Sequence, residues 1–310
     1  MKRKRRTLWL TVSLIVVLGL MILSFHQYFY EEEEPPARNL QVGDMKEDTF
    51  RAMDFGENGL REVLAWAVEQ NEEPGEALAV WMTALGYDLG GVARQGLSRQ
   101  RYEEWKQLLS EEADEEVRSW YELQKEIYTS LLLDLQVFPV PRNTDPACAF
   151  PSFQDDWGNL RTFGGDRHHE GCDIMGDLYP DGTYPIVSMT GGVVEKLGWL
   201  KLGGWRIGIR SDSGIYYYYA HLASYAAGLA EGDRVQPGQV IGRMGSTGYS
   251  TVEGTSGKFA VHLHVGIYIP VDGGEDISVN PYYLMRYLEK EAVRTAFYPW
   301  PSSQNESGGD

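Results

Sequence analysis

The chain has 310 residues, 43% of them hydrophobic and 24% charged, so it can bury a sizeable core and does not have the composition of a disordered protein. Its formal net charge is −17, and the part after the five basic residues at the start holds 23 basic against 45 acidic residues, or −22. A surface that negative excludes a nucleic-acid-binding function, because such binding depends on neutralising phosphates.

The first 30 residues predict a membrane anchor. The basic stretch MKRKRR is followed by an uncharged run from Thr7 to Phe25, which as a helix would be about 28 Å long and could cross a bilayer. Basic residues before the run and EEEE after it place the amino terminus in the cytoplasm. A cleaved signal peptide is the alternative, but the run is long and no A-x-A-like site follows it. We therefore expect a single-pass membrane protein whose remaining residues lie outside the membrane.

Residues 31–55 are charged, contain prolines and have no apolar period, which predicts an acidic stalk. From residue 56 to residue 137 apolar side chains recur with helical spacing and predict a helical unit. Pro74 suits the first turn of its second helix and Gly86 the position just after that helix. Ser98 is a suitable cap for the third helix.

Aromatic residues follow the faces of these predicted helices. They could form a groove for a partner protein, but aromatic residues at helical spacing are far more often part of a core, and we expect a core here. The fourth helix shows the pattern most clearly, with a buried face expected at Val117, Trp120, Tyr121, Gln124, Ile127, Tyr128 and Leu131.

After residue 137 glycine becomes frequent and short alternating runs replace the helical pattern. Residues 138–290 therefore predict a mainly β domain of small antiparallel sheets, followed by a tail at 291–310 that is disordered at its end. The predicted strands lie near residues 192–199, 204–211, 214–221, 234–243 and 260–269.

Histidine is scarce, yet the β half holds all but one of the six histidines in the chain. His262 and His264 lie one residue apart in the strand FAVHLHVGIY, so their imidazoles point to the same face. Burying two parallel imidazoles is costly unless they share a metal ion. His221 ends the run YYYYAHL and, in a regular strand, would share a face with Tyr217 and Tyr219.

A second segment, HHEGCD, places His169 and Asp173 on one face of an extended chain and His168 and Cys172 on the other. Histidine and aspartate are zinc ligands, and a catalytic zinc ion commonly keeps three protein ligands and one water. His169 and Asp173 would supply two ligands, and either histidine of the HLH strand the third. For His168 and for His26 we expect an ordinary surface or core role.

Taken together, the motifs RHHEGCD, YAHL and HLHVGIY, with the turn-rich run GDRVQPGQVIGRMGSTGYS between the last two, resemble those of the LytM/lysostaphin-type zinc metallopeptidases. These enzymes cut the peptide part of bacterial peptidoglycan. The similarity covers roughly residues 138 to 287. It implies a LytM-type duplicated hybrid β motif, a bound Zn2+ ion and peptidoglycan as partner. With the predicted anchor, it implies a bacterial cell-membrane protein with its catalytic domain on the outer side.

The resemblance also assigns roles to residues. The HxxxD motif of the family supplies His169 and Asp173, and the second histidine of its HxH motif supplies His264, as zinc ligands. The first histidine of HxH, His262, and the histidine of YAHL, His221, would be the catalytic pair. His262 would carry a proton from water to the leaving amine, and His221 would donate a hydrogen bond to the oxyanion.

Three features depart from the family pattern. A longer loop, TVEGTSGKFAV, precedes the HLH strand, and we expect it to affect substrate choice. Gly266 follows HLHV where an acidic residue is common, and Cys172 stands between two ligand positions. The longer loop together with an anchor resembles LytH-like sporulation enzymes that cut between L-Ala and D-Glu.

Two other functions are compatible with these residues. A non-catalytic scaffold at the septum or spore envelope, which binds peptidoglycan or activates an amidase, would have lost metal ligands, whereas all five expected positions are filled here. A structural zinc domain would close its site with a fourth ligand, commonly cysteine. We therefore predict a membrane-anchored zinc metalloendopeptidase.

The only two cysteines, Cys148 and Cys172, are too few for a disulfide scaffold but sufficient for one bridge in an oxidising compartment. Cys172 lies on the strand face opposite Asp173, so its sulfur should point away from the metal. We expect the two cysteines to form a disulfide. In the alternative, Cys172 would be a fourth zinc ligand and would remove the open coordination position.

Overall fold

The amino-terminal part of the described chain is helical, as the apolar spacing predicts. The computed structural model describes residues 48–92, 96–112, 114–162, 165–270 and 275–297, all of which belong to one compact unit. The helices are α1 (Asp48–Arg51), α2 (Gly59–Gln70), α3 (Pro74–Ala84), α4 (Arg99–Ser110) and α5 (Glu115–Asp134).

The helix ends lie where the sequence predicts them. Helix α3 begins at Pro74 and ends at the residue before Leu85, and Gly86 then takes a left-handed backbone with φ of 70°. The Ser98 side chain accepts a hydrogen bond of 3.2 Å from the backbone N–H of Arg101 and caps α4. These capping residues fix the lengths of both helices.

The aromatic stripes form the core of the helical part. Helix α5 buries the full set of seven residues predicted from its spacing. Trp66 lies between two aromatic rings, with ring centroids 5.6 Å from Trp81 and 4.8 Å from Tyr102. The expectation of a core, rather than a partner groove, is confirmed for these aromatic residues.

The described end of the predicted acidic stalk is packed. Phe50, Met53 and Phe55 are each 0% exposed. Arg51 donates hydrogen bonds of 2.8 and 2.7 Å to the carbonyl and hydroxyl oxygens of Ser278, so α1 is held against the β part of the chain. The stalk therefore does not extend through residues 48–55, and residues 31–47 lie outside the described chain.

The localisation predicted from the sequence needs correction. Within the described ranges, no helix is both long enough and apolar enough to cross a membrane. The longest helix, α5, carries charged side chains along its length. A single-pass membrane protein, with the membrane as partner, is therefore not supported. The segment from Thr7 to Phe25, on which that prediction rests, lies outside the described residues.

The second half is built from short strands and one helix. The strands are β1 (Arg142–Asn143), β2 (Leu160–Arg161), β3 (Arg167–His168), β4 (Cys172–Met175), β5 (Pro185–Val187), β6 (Gly192–Leu200), β7 (Gly204–Arg210), β8 (Tyr216–Tyr225), β9 (Arg234–Val235), β10 (Val240–Met244), β11 (His262–Ile269), β12 (Ile277–Val279) and β13 (Arg294–Thr295). Helix α6 (Tyr282–Glu289) precedes β13.

The main sheet is antiparallel and has the strand order β12-β11-β8-β7-β6-β9. Strand β4 pairs with β11, and β10 pairs with both β5 and β8. The prediction of a mainly β carboxyl-terminal part with small antiparallel sheets is confirmed. The single strand expected at 234–243 is two strands, β9 and β10, because the Pro-Gly turn at 237–238 interrupts it.

Helix α6 lies in a half of the chain that the sequence predicts to be entirely β. Leu284, Met285 and Leu288 form its buried face, with Leu288 at the three- and four-residue spacings of a helix from the other two. Helix α6 packs against α2, and apolar side chains of both helices line the same small cavity. The short helix therefore helps to join the helical and β layers.

Gly75 allows helices α3 and α5 to approach closely. A Cβ atom at this position would lie 2.6 Å from the backbone nitrogen and 2.7 Å from the Cα of Thr129 in α5. Backbone atoms cannot rotate away, so we expect Gly75→Ala to lower the free energy of unfolding by about 1–3 kcal/mol. Urea unfolding of the variant measures this loss.

Gly91→Ala is the matched control, because a Cβ there would meet nothing within 4 Å. Equal stabilities for the two variants would contradict the close contact between α3 and α5.

Candidate metal centre and active-site cleft

Three side chains from separate segments meet at one edge of the main sheet. The antiparallel register of β4 and β11 sets Asp173 directly opposite His264. His169 comes from the segment between β3 and β4. The Nε2 of His169 lies 2.9 Å from the Nδ1 of His264, and the Oδ1 of Asp173 lies 3.2 and 3.1 Å from these two nitrogens.

This triangle of atoms fits a tetrahedral metal ion. Zinc bonds to histidine nitrogen and carboxylate oxygen of about 2.0 Å give ligand atoms about 3.3 Å apart in a tetrahedron. The observed separations of 2.9 to 3.2 Å are close to that value. Among the described residues these three form the group that could hold a metal ion, called the metal-binding group below, and Cys172 is not part of it.

A second layer of polar groups orients the candidate ligands. The Nδ1 of His169 lies 3.0 Å from the backbone carbonyl of Asp156 and 2.9 Å from the Nη2 of Arg161, and its Nε2 faces the triangle. The Nη2 of Arg161 donates to the Oδ2 of Asp173 and to the Oδ2 of Asp156, both at 2.8 Å. Asp173 is thereby left with its Oδ1 facing the two histidines.

Asp156 and Arg161 were not predicted from the sequence. They lie in the segment DDWGNLR, which has no strand or helix periodicity and precedes the ligand motif. The one feature of this segment that could have indicated a role is its pair of adjacent aspartates, with an arginine five residues after the second.

The electrostatic environment keeps the candidate carboxylate ionised. Burial raises the pKa of Asp173, but hydrogen bonds from His169 and His264 outweigh this and hold the pKa well below its ordinary value. Burial lowers the pKa of His169, whereas Asp156 and Asp173 raise it, to about 9 overall. Burial also lowers the pKa of His264. Asp173 is thus a ready anionic ligand for a cation.

Two further imidazoles lie beside the triangle. The ring centroids of His221 and His262 are 4.6 Å apart, and the Nε2 of His262 lies 3.8 Å from the Oδ1 of Asp173. The Nδ1 of His262 lies 2.8 Å from the carbonyl of Ala260, and the Nδ1 of His221 lies 2.8 Å from the carbonyl of Thr247. Since a carbonyl only accepts, each Nδ1 carries the proton, and each neutral ring presents a lone pair at Nε2.

His221 does not share a face with Tyr217 and Tyr219, as a regular strand would predict. Those two tyrosines are 0% exposed in the core, whereas His221 lines the cleft that contains the metal-binding group. The reason is its backbone, which is left-handed with φ of 62° and breaks the alternation of β8. This departure brings His221 next to His262.

Aromatic side chains in and beside the long loop before β11 pack against these imidazoles. The ring centroid of Phe259 lies 4.8 Å from that of His221 and 5.1 Å from that of His262. Tyr249 lies 4.8 Å from Phe259 and 5.7 Å from His221. The loop that departs from the family pattern therefore borders the site directly.

The remaining candidate residues lie outside this group. His168 is exposed, and its Nδ1 lies 2.8 Å from the carbonyl of Gly158. Both cysteines are free thiols, so the predicted Cys148–Cys172 disulfide is corrected. Cys172 is fully buried on the core side of β4, and its thiol donates to the carbonyl of Gln154 at 3.2 Å. Its sulfur thus points away from the metal-binding group but does not reach Cys148.

The site opens into a cleft of about 1190 Å³. Its floor is formed on the outer face of β8 and β11 by Tyr216, Tyr218 and Tyr268, which contact one another edge to face. The ring of Tyr218 also lies 5.8 Å from that of His264. A cleft of this size, with a metal-binding group in its wall, can accommodate several residues of an extended peptide.

The fold and the site together define a class of protein, namely a mainly antiparallel β domain with a candidate one-metal centre flanked by two further imidazoles. The chain belongs to peptidase family M23, whose model matches residues 167–281. That segment contains all five positions predicted as ligands or catalytic residues. The resemblance to LytM-type peptidases found from the motifs is therefore confirmed.

Individual relatives extend this match. An L-Ala–D-Glu endopeptidase of Bacillus subtilis (strain 168) is 44% identical over 163 residues, which are 53% of this chain and 47% of that protein. The glycyl-glycine endopeptidase ALE-1 of Staphylococcus capitis is 36% identical over 99 residues, 31% of this chain and 24% of that protein. The chain thus spans about half, or less, of the length of these curated relatives.

A solved structure covers more of the chain. A crystal structure from Ruminococcus gnavus ATCC 29149, named for a glycyl-glycine endopeptidase lytM, matches with a TM-score of 0.66 and 34% sequence identity. The match covers 83% of this chain and 98% of the other. The residues after 137 are too few to make up 83% of this chain, so the match must include part of the helical region. The helical part is therefore also common to both structures.

Gly171 lets His264 occupy its position. A Cβ at residue 171 would lie 2.6 Å from the Cε1 and 2.7 Å from the Nε2 of His264, and would also press on the backbone of Val265. We expect Gly171→Ala to displace the imidazole and to weaken metal binding by about 10- to 100-fold. Titration of the metal-free protein with zinc measures the affinity.

Gly191→Ala provides the control, because the nearest atom to its added Cβ, the Cδ of Pro237, is at an ordinary 3.5 Å. Unchanged metal affinity in Gly171→Ala would show that His264 does not need this space.

Proposed function

We propose that this protein is a zinc metalloendopeptidase that hydrolyses a peptide bond in bacterial peptidoglycan. The observation that carries the proposal is the convergence of His169, Asp173 and His264 on one point in the wall of a peptide-sized cleft. Membership of peptidase family M23 supports a hydrolytic role for that cleft.

His169, Asp173 and His264 would hold the zinc ion, through Nε2, Oδ1 and Nδ1 respectively. When bound, zinc lowers the pKa of a water molecule to about 7 and polarises a carbonyl oxygen. Three protein ligands leave a tetrahedral position open, which distinguishes this donor set from a structural site. Asp156 and Arg161 would hold the ligands in place by the hydrogen bonds described above.

His262 would act as the general base and acid. Its Nδ1 proton is committed to the Ala260 carbonyl, so its Nε2 lone pair is available and lies 3.8 Å from the Oδ1 of Asp173. The ring can take a proton at Nε2 from the attacking water and return it to the leaving amine. Phe259 packs against the ring and limits its rotation.

For His221 we propose a role other than the oxyanion donor that the family resemblance implies. A donor to the oxyanion needs a proton on Nε2, but the Thr247 carbonyl already takes the Nδ1 proton of the neutral ring. Burial, with His262 and His264 nearby, also lowers the pKa of His221 and opposes a second proton. We therefore propose that His221 accepts a hydrogen bond at Nε2, from water or from the substrate amide, and so orients it.

For the scissile bond we propose L-Ala–D-Glu. The Bacillus relative named for that bond matches over a longer stretch and with higher identity than the Staphylococcus relative named for a glycyl-glycine bond. The alternative of a non-catalytic scaffold predicts missing ligands, whereas the described site has its three candidate ligands and both further imidazoles.

Substitutions should separate metal binding from turnover. We expect His264→Ala to lose both zinc and activity. His262→Ala and His221→Ala should keep zinc but lose about 10²-fold or more in kcat, because each removes one interaction with the reacting groups. Elemental analysis together with rates of peptidoglycan hydrolysis gives the two readouts.

His168→Ala is the matched control for zinc content, since this imidazole is exposed and outside the metal-binding group. A full zinc content in His264→Ala would contradict its role as a zinc ligand. A normal rate in His221→Ala would contradict its role in turnover.

Digestion of defined peptidoglycan tests the function itself. We expect the zinc-loaded protein to release fragments with a new carboxyl terminus at L-Ala and a new amino terminus at D-Glu, as identified by mass spectrometry. Fragments that end in glycine would instead support a glycyl-glycine bond. Binding without any released fragment would favour the scaffold.

A further inference from the structure

Three buried hydrogen-bond donors in the β half have no partner among the described protein atoms, and all three belong to residues that line the cleft. They are the Nε1 of Trp157, the Nε of Arg167 and the Nη1 of Arg206. No buried side-chain acceptor of the described β half is unpartnered in the same way. Leaving a buried donor without a partner is unfavourable, so the walls of the cleft favour a ligand that brings acceptors.

The charges around the cleft also favour a ligand that carries hydrogen-bond acceptors. Arg210 is already neutralised, because its guanidinium binds Glu195 at 2.6 Å and Asp276 at 2.6 Å. By contrast, no ion pair within the described ranges joins Arg167 or Arg206 to a carboxylate. In a chain with a net charge of −17, two unpaired guanidinium groups in one cleft are unusual.

These arginines lie on the same side of the sheet as the metal-binding group. Both side chains line the cleft that also holds His264, and Arg206 lies in β7 beside Ile207, which pairs with Tyr219 of β8. The ring of Tyr218, also in β8, lies 5.8 Å from that of His264. Burial raises the pKa of the Tyr218 phenol, and the guanidinium groups of Arg206 and Arg167 oppose that rise, in agreement with this placement. The unpaired cations and the metal-binding group thus share one cleft.

We propose that Arg206, assisted by Arg167, binds a free carboxylate that the substrate carries on the residue next to the scissile bond. An arginine fork matches the two oxygens of a carboxylate, and its charge makes these hydrogen bonds stronger than those to a neutral group. The inference rests on the proposed peptidase function and names the feature of the peptide that the site selects.

A glutamyl residue has this feature and a glycyl residue does not. Glutamate has two carboxyl groups and uses only one to continue the chain, so the other stays as a free anion unless it is amidated. A run of glycines offers only neutral amides at this position. The unpaired donors therefore favour L-Ala–D-Glu over a glycyl-glycine bond, on evidence independent of the relatives' names.

The test uses two peptides that contain the L-Ala–D-Glu bond and differ only in the free carboxyl group, which is a carboxylate in one and a carboxamide in the other. For the zinc-loaded wild-type chain we expect kcat/KM to be at least about tenfold higher for the carboxylate peptide. Arg206→Gln should lower that value about 30-fold while changing the rate for the carboxamide peptide little. Arg206→Lys, which keeps the charge, should restore part of the preference.

Arg234→Gln is the matched control, because Arg234 lies in strand β9 of the same sheet, is exposed and does not line the cleft. It should keep the wild-type preference. Zinc content and the unfolding midpoint of each variant identify any loss of fold. Equal losses on both peptides in a folded Arg206→Gln, or no preference in the wild type, would overturn the inference while leaving the peptidase function intact.

A binding measurement keeps the inference testable if neither peptide is cut, an outcome that would refute the proposed bond. Calorimetry with zinc-loaded His262→Ala should give tighter binding of the carboxylate peptide, and adding Arg206→Gln should abolish that difference. Equal affinities for both peptides in His262→Ala would overturn the carboxylate site itself.

Discussion

The antiparallel pairing of β4 with β11 is the interaction on which the site depends, because it sets Asp173 opposite His264. On its other edge β11 pairs with β8, where Ala220 lies opposite His264 and His221 follows. A slip of one residue in either pairing would turn the imidazoles of β11 to the other face of the sheet. Since both edges of β11 are paired, the register is fixed from two sides, and the polar groups need no flexible loop to bring them together.

Backbone carbonyls set the protonation pattern of the two imidazoles beside the triangle. His221 and His262 each have Nδ1 2.8 Å from a carbonyl oxygen, so both present Nε2 to the cleft. Because carbonyls do not titrate, this pattern is the same at every pH at which the rings are neutral. The side chain of Arg161 complements it by binding one oxygen of Asp173 and leaving the other free.

Much of this arrangement could be predicted from the sequence, because period-two alternation and motif spacing are local properties. They identified the helix ends, most of the strands and two of the three side chains of the metal-binding group, His169 and Asp173. For the third they left His262 and His264 open, and the family resemblance selected His264. Three kinds of feature could not be predicted from these local patterns. The face of His221 depends on one left-handed residue, which alternation cannot anticipate. Asp156 and Arg161 act through contacts that leave no periodic trace. The two thiols share a plausible sequence spacing, but Cys172 is enclosed by the core and bonds elsewhere.

The left-handed backbone at His221 has a consequence for how this protein can change. A β-carbon in that conformation costs roughly 1–2 kcal/mol, and glycine would remove the cost. Selection for folding stability alone would therefore tend to replace this histidine with glycine or asparagine. We expect this substitution to be among the first in a variant of the domain optimised only for thermal stability. Under the proposed function, a histidine in such an unfavourable conformation marks a point where the fold gives up stability for chemistry.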